Sequence, residues 1–172
     1  DTISTAANTK FADIPAHAWY SGYVKYLSNN GITYGKSKTI FAPNDAITRA
    51  EFTTMAVRFF DVSGDGDAEI LEQFSGFNDV SSGYWAAEYI KYAALHGWIN
   101  GYGDGSFHAD REINRAEVVT IVNRLLGREA DEDYIADNLR KLNTFPDVTK
   151  RHWAYYAVME AANAHTAVLG ES

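Results

Sequence analysis

The feature that most constrains this chain is an internal repeat with an offset of 66 residues. Phe11-Ala12-Asp13-Ile14 returns as Phe77-Asn78-Asp79-Val80, and Trp19 returns as Trp85. Gly31 and Gly35 return as Gly97 and Gly101, and Phe41 as Phe107. Ile47-Thr48-Arg49-Ala50-Glu51 returns as Ile113-Asn114-Arg115-Ala116-Glu117. Residues 11–60 align on 77–126 without a gap and share 15 identities in 50 pairs, where average composition gives about 3. A third copy opens at Phe145-Pro146-Asp147-Val148, with Trp153 in the place of Trp85, and fades near His165 without a third Arg-Ala-Glu. The chain is two and a half copies of one unit.

Each unit reads as helix, loop, helix. Trp19, Tyr23, Tyr26 and Leu27 recur at helical spacing, and Trp85, Tyr89, Tyr92 and Ala93 repeat them, which predicts one apolar stripe per first helix. Gly31 and Gly97 follow as left-handed caps. The stretch Asn100-Gly101-Tyr102-Gly103-Asp104-Gly105 is dense in turn residues. The second helix has a full start signal. Thr48 caps it and Glu51 completes a capping box, with Ile47 and Phe52 placed as a hydrophobic staple. Asn114, Glu117, Ile113 and Val118 do the same in the second copy. Phe52, Met55, Ala56 and Phe59, and then Val118, Ile121, Val122 and Leu125, form the expected stripes. No long alternating pattern appears, so the fold class is all-α. The expected organisation is a flexible segment 1–10, repeat one at 11–60, an acidic linker 61–76 and repeat two at 77–126. A linker helix follows over 127–144, its apolar side made by Tyr134, Ile135, Leu139 and Leu142, and then the half repeat and tail at 145–172.

Composition narrows the function. At 172 residues, 46% of them apolar, the chain is long and apolar enough to bury a core. With no cysteine, disulfide scaffolds, thiolate metal sites and thiol catalysis are excluded. No apolar run reaches the roughly 20 residues of a membrane span, so no membrane insertion is expected. No signal-peptide pattern opens the sequence, as expected of a mature chain. A net charge of −8 argues against nucleic acid and anionic membranes as partners. Residues 61–76 carry Asp61, Asp65, Asp67, Glu69 and Glu72 and no basic residue, which accounts for −5 of that charge. A single local anion site therefore stays compatible with an acidic chain. The enzyme classes find no support. His17, His96, His108, His152 and His165 are scattered, no Gly-x-Ser-x-Gly elbow occurs, and Gly101-x-Gly103-x-Gly105 lacks the preceding strand of a dinucleotide site. Carboxylates are abundant, but nothing places two together as in a glycosidase. Neither catalytic residues nor a cofactor are expected.

Phe-x-Asp-Val, Trp-Ala, Gly-x-Ile-x-Gly-Tyr-x-Asp-Gly-x-Phe and Ile-Thr-Arg-Ala-Glu, in that order over about 50 residues, resemble the S-layer homology repeat. The resemblance runs from Phe11 to about His165. It implies helix-loop-helix prongs in a pseudo-threefold spindle around a central helical bundle, with the third prong incomplete in this sequence. It implies a bacterial cell-surface location and non-covalent anchoring to a cell-wall glycan, commonly a pyruvylated secondary polymer, held in grooves between prongs. A structural role, packing against other S-layer or surface-protein subunits, is the alternative. In one arrangement of this family an opening half repeat pairs with a closing one, which leads to the expectation of an Arg-Ala-Glu helix upstream of Asp1.

The resemblance also assigns residues. Arg49 and Arg115 stand in the first turn of their helices, where the dipole and free N–H groups favour an anion, and a guanidinium grips a carboxylate in two-pronged fashion. Thr48 with Glu51 and Asn114 with Glu117 flank them as capping pairs, and a capping box alone does not require the arginine. Trp19, Trp85 and Trp153 either join the core or stack on sugar faces. Asp13 and Asp79 serve as turn carboxylates or as acceptors for sugar hydroxyls. Asp104-Gly105 keeps the family turn, whereas Lys36-Ser37-Lys38-Thr39 replaces it in repeat one, so the two grooves need not be alike. Separately, Asp61, Ser63, Asp65, Asp67, Glu69 and Glu72 match the spacing of a calcium loop. Ala68, where a larger apolar residue is usual, and the absence of a partner loop count against that reading.

Overall fold

The computed structural model of the chain describes residues 8–60 and 76–163. The expected calcium loop, nearly all of the acidic linker, most of the flexible N-terminal segment and the C-terminal tail lie outside the described residues. Among the described residues the chain is helical, with no strand: α1 (Ser21–Asn29), α2 (Arg49–Phe59), α3 (Ala87–Leu95), α4 (Arg115–Leu125), α5 (Glu132–Asn138) and α6 (Tyr155–Ala162). None of these helices is long and apolar enough to cross a membrane.

The helix starts are of two kinds. At α2, Thr48 is extended and its hydroxyl accepts from the Glu51 N–H at 3.2 Å, while the Glu51 carboxylate accepts from the Thr48 N–H at 2.9 Å. Asn114 and Glu117 reproduce this at α4 with both bonds at 3.0 Å. Each cap is worth about 1 kcal/mol. α1, α3 and α6 have no side-chain cap. They grow out of a turn that carries Trp19, Trp85 or Trp153 just ahead of the first helical turn. α1 and α3 end at Gly31 and Gly97, whose φ values of +71° and +69° are the left-handed caps expected from the sequence.

The buried stripes are rotated from the expected ones. On α1, Val24, Ser21 and Gly22 face inward, whereas Tyr23 and Tyr26 are exposed and Trp19 is 74% exposed. On α2 the buried face is Ala50, Thr53, Thr54, Ala56 and Val57, with Phe52 and Met55 half-buried and Phe59 exposed. The physical reason is the neighbour: α2 packs on α3 and also touches α4, and small side chains on the shared face let helices approach closely. On α4 the expectation holds better, since Ile121 and Leu125 are buried. On the linker helix, Ile135 is buried with Tyr155 and Met159 and Leu142 packs against them, but Leu139 is exposed.

Helix pairing crosses the repeat boundaries. α2 of repeat one packs on α3 of repeat two, and α4 of repeat two packs on α6 of the half repeat. α1 has no comparable helix partner among the described residues. Its Tyr23 and Tyr26 are exposed, while their counterparts Tyr89 and Tyr92 are half-buried against the main core.

Within a repeat, the Phe-x-Asp segment is tied to the loop. The Asp13 carboxylate accepts from the Phe41 and Ala42 N–H groups at 2.9 and 2.7 Å. Asp79 accepts from Phe107 and His108, both at 2.7 Å. Phe11 meets Phe41, and Phe77 meets Phe107, each pair with ring centroids 5.3 Å apart. Gly101 makes room for this: a Cβ there would run into the Phe77 ring and lie 2.7 Å from the Ser106 carbonyl oxygen. A Cβ on Gly103 would meet nothing within 4 Å. Gly101→Ala is therefore expected to lose about 2–3 kcal/mol, and Gly103→Ala less than about 1 kcal/mol, as read by urea unfolding.

Candidate functional site

The joint between repeats one and two is built around Arg49. The first turn of α2 projects into the loop of repeat two, where the Arg49 N–H donates to the Arg111 carbonyl at 2.8 Å and the Ala50 N–H to Ala109 at 2.9 Å. The Ile113 N–H returns a bond to Ile47 at 3.1 Å. The helix-start N–H groups that the sequence suggests for an anion are thus spent on the neighbouring repeat. The Arg49 side chain is 6% exposed. Nε donates to the Phe107 carbonyl at 2.9 Å, one terminal nitrogen to Glu117 at 2.9 Å and the other to the Asn100 carbonyl at 3.2 Å. Its guanidinium lies over the Phe107 and Tyr102 rings, 4.5 and 5.2 Å from their centroids.

Two grooves flank this joint at positions related by the repeat. The first, of about 480 Å³, is walled by the loop of repeat one, by Glu51, Thr54, Met55 and Arg58 of α2, and by Trp85 of the next repeat. The second, of about 530 Å³, is walled by the loop of repeat two, by Asn114, Glu117, Thr120, Ile121 and Arg124, and by Trp153 of the half repeat. Trp85 and Trp153 are 56% and 65% exposed, so each presents an indole face at a groove mouth rather than joining the core.

The charged groups differ between the grooves. In the first, Lys36 Nζ pairs with Glu51 at 2.6 Å. Arg58 lies between the Tyr34 and Tyr89 rings, 4.7 and 5.0 Å from their centroids. In the second, Glu117 accepts from Arg49, from Arg111 and from the Tyr102 hydroxyl. Burial pushes the Glu117 carboxyl up, but the Asn114 N–H, Arg49, Tyr102 and Arg111 outweigh it and hold the group below its ordinary value. Burial likewise acts upward on Glu51, and Lys36 and Thr48 bring it down overall. Arg124 is exposed and approaches the side-chain amide of Asn100 at 3.3 Å.

The expected site residues therefore separate. Glu51 and Trp85 line the first groove, while Arg49, Asn114, Glu117 and Trp153 line the second. Arg115 is exposed at the start of α4 and lines neither. Thr48 serves as a cap. Asp13 and Asp79 hold the loops. Asp104 accepts from the Ser106 N–H and hydroxyl at 3.0 and 2.6 Å beside Gly105, whose φ is +82°. Trp19 lies at neither groove. Arg58, Arg111 and Arg124 stand outside the expected set. Yet Arg58 and Arg124 coincide at the 66-residue offset, as do Thr54 and Thr120. Among the described residues no group of three or more His, Asp or Glu side chains is arranged to hold a metal ion.

The S-layer homology domain model matches residues 10–53 and 76–119. The chain is 31% identical over 177 residues to cell surface glycoprotein 1 of Acetivibrio thermocellus, an alignment covering 98% of this chain and 7% of that protein. It is 29% identical over 164 residues to a cellulosome-anchoring protein of the same organism, covering 94% of this chain and 34% of that protein. An S-layer protein of Bacillus thuringiensis subsp. finitimus is 32% identical over 117 residues, 68% of this chain and 14% of that protein. The chain thus spans a small part of the length of the curated relatives it matches.

The geometry separates the two motif arginines. Arg49→Ala removes one of the two guanidinium partners of Glu117 and the donor to the Phe107 and Asn100 carbonyls, and is expected to cost about 2–4 kcal/mol, whereas Arg115→Ala stays within about 0.5 kcal/mol; guanidinium chloride unfolding reads both. Because the folded values of Glu117, Asp13 and Asp79 are depressed, their contribution is fully present above the unfolded carboxylate range and is lost as pH falls through the folded values. The melting temperature is expected to hold from neutrality to about pH 5 and fall below about pH 4. Glu117→Gln should lower the plateau and make that fall shallower.

Proposed function

The chain belongs to the S-layer homology family, and from that membership we propose that it anchors a bacterial surface protein to the cell envelope by holding wall polysaccharide in its two grooves. The observation that carries the reading is the repeated groove itself. Each copy joins an exposed indole from one repeat to a wall of hydrogen-bonding and cationic side chains from the repeat before it. That is the chemistry a sugar chain requires. An indole face stacks on the C–H face of a pyranose, carboxylates and amides accept from or donate to hydroxyls, and a guanidinium meets the carboxylate of a pyruvate ketal.

In this reading Trp85 and Trp153 make the stacking contacts. Glu51, Glu117 and Asn114 meet hydroxyl groups, and arginines at the groove meet the anionic substituent. Arg49 acts from within the wall, since its nitrogens are committed to Phe107, Asn100 and Glu117, and it fixes the orientation of the Glu117 carboxylate. The names of the relatives, a cell surface glycoprotein, a cellulosome-anchoring protein and an S-layer protein, support a role in attachment at the cell surface. No chemistry beyond binding is required of the site.

Sedimentation with purified bacterial cell walls tests this. The wild-type chain is expected to pellet with walls and to pellet less with walls stripped of their pyruvate ketals. Trp85→Ala and Trp153→Ala replace exposed rings, so they leave the fold intact, and each should weaken wall binding about tenfold. Equal pelleting of the double variant and the wild type would remove the grooves from the mechanism.

A further inference from the structure

We propose that the two grooves take different classes of saccharide, the second an anionic sugar and the first an uncharged one. The proposal rests on the glycan-binding reading above and deepens it. The two grooves occupy matched places in the repeat and differ in side chains 66 residues apart, and the second also receives Arg49 from repeat one.

The first groove is lined by Lys36, Asp45, Glu51 and Arg58. Two cations face two carboxylates, and the set is neutral. Its charges are also committed: Lys36 is closed on Glu51 at 2.6 Å, and Arg58 is held between two tyrosine rings. An anion entering here would meet Asp45 and would share Lys36 with Glu51. A neutral sugar meets no such obstacle. Its hydroxyls donate to Asp45 and Glu51 while the ring stacks on Trp85.

The second groove is lined by Arg49, Arg111, Arg124 and Glu117. Three guanidinium groups accompany one carboxylate, Arg111 and Arg124 exposed and Arg49 committed within the wall. Glu117 is already shared by two of them, and Arg124 has no carboxylate partner among the described residues. The surplus of positive charge sits between apolar walls from Ile99 and Ile121 and beside the Trp153 indole. Such surroundings screen charge less than open water does, and a bound carboxylate replaces its lost hydration with charge-assisted hydrogen bonds. The position that sets the contrast is 45 in one repeat and 111 in the other, aspartate against arginine at the same place in the loop.

Isothermal titration with two probes tests this: a methyl hexoside carrying a pyruvate ketal, and the same glycoside carrying an uncharged isopropylidene ketal. The wild type is expected to bind one equivalent of the charged glycoside, more weakly as salt is raised. Arg111→Asp, at an exposed side chain, should weaken that binding about tenfold or more and leave binding of the uncharged glycoside unchanged. Arg124→Gln should weaken the charged probe in the same direction. Asp45→Arg should create a second equivalent for the charged probe. Two equal charged-probe sites in the wild type, or Arg111→Asp and Arg124→Gln both without effect, would overturn the proposal while leaving the glycan reading in place. A wild type that binds neither glycoside and fails to pellet with walls would overturn the glycan reading, and this proposal with it.

Discussion

Arg49 reaches from the first turn of α2 into the loop of repeat two, and the rest of the structure is arranged around that contact. A guanidinium buried to this degree is stable only when each nitrogen has an acceptor. Here the acceptors come from three separate places in the next repeat: the Phe107 and Asn100 carbonyls and the Glu117 carboxylate. The rings of Phe107 and Tyr102 cover its faces, at a typical cation–π gain of about 1–2 kcal/mol. A buried pair of this kind roughly breaks even against an apolar one in net stability. What it supplies is orientation: it fixes where α2 enters repeat two, and so where the groove walls stand.

The same contact sets the electrostatics of the second groove. Arg49 shares Oε1 of Glu117 with Arg111 and the Tyr102 hydroxyl, while Oε2 accepts from the Asn114 N–H. Glu51, at the matching place in repeat one, receives Lys36 instead. One carboxylate therefore sits among cations and the other in a closed pair, although both perform the same capping task for their helices. Capping and groove lining are not competing roles for these glutamates. One oxygen serves the backbone and the other faces the groove.

Much of this was legible in the residues. The offset of 66, the capping boxes, the glycine caps and the all-α class all follow from local pattern, and local pattern is what the helix starts and stops depend on. The role of Arg49 was not legible, because its partners lie 51 to 68 residues away and no short-range rule links them. The rotated stripes on α1 and α2 have the same origin. Tyr23 and Tyr26 match a helical period, but whether a tyrosine is covered depends on which helix lies beside it. Arg58 and Arg124 were visible as a repeated pair, yet a repeated arginine on a helix gives no sign that an indole from the following repeat stands opposite. The calcium spacing at 61–72 lies outside the described residues.

The crossing of helix pairs over the repeat boundary has a consequence for how such chains diversify. A sequence repeat, cut from Phe-x-Asp to the end of its Arg-Ala-Glu helix, contains the loop and one helix of a groove but not the indole that closes it. Recombination that exchanges whole repeats therefore produces hybrid grooves, each with its loop and helix from one ancestor and its indole from another. A repeat carries the charge of its own loop, but its groove is complete only with the indole of the repeat that follows.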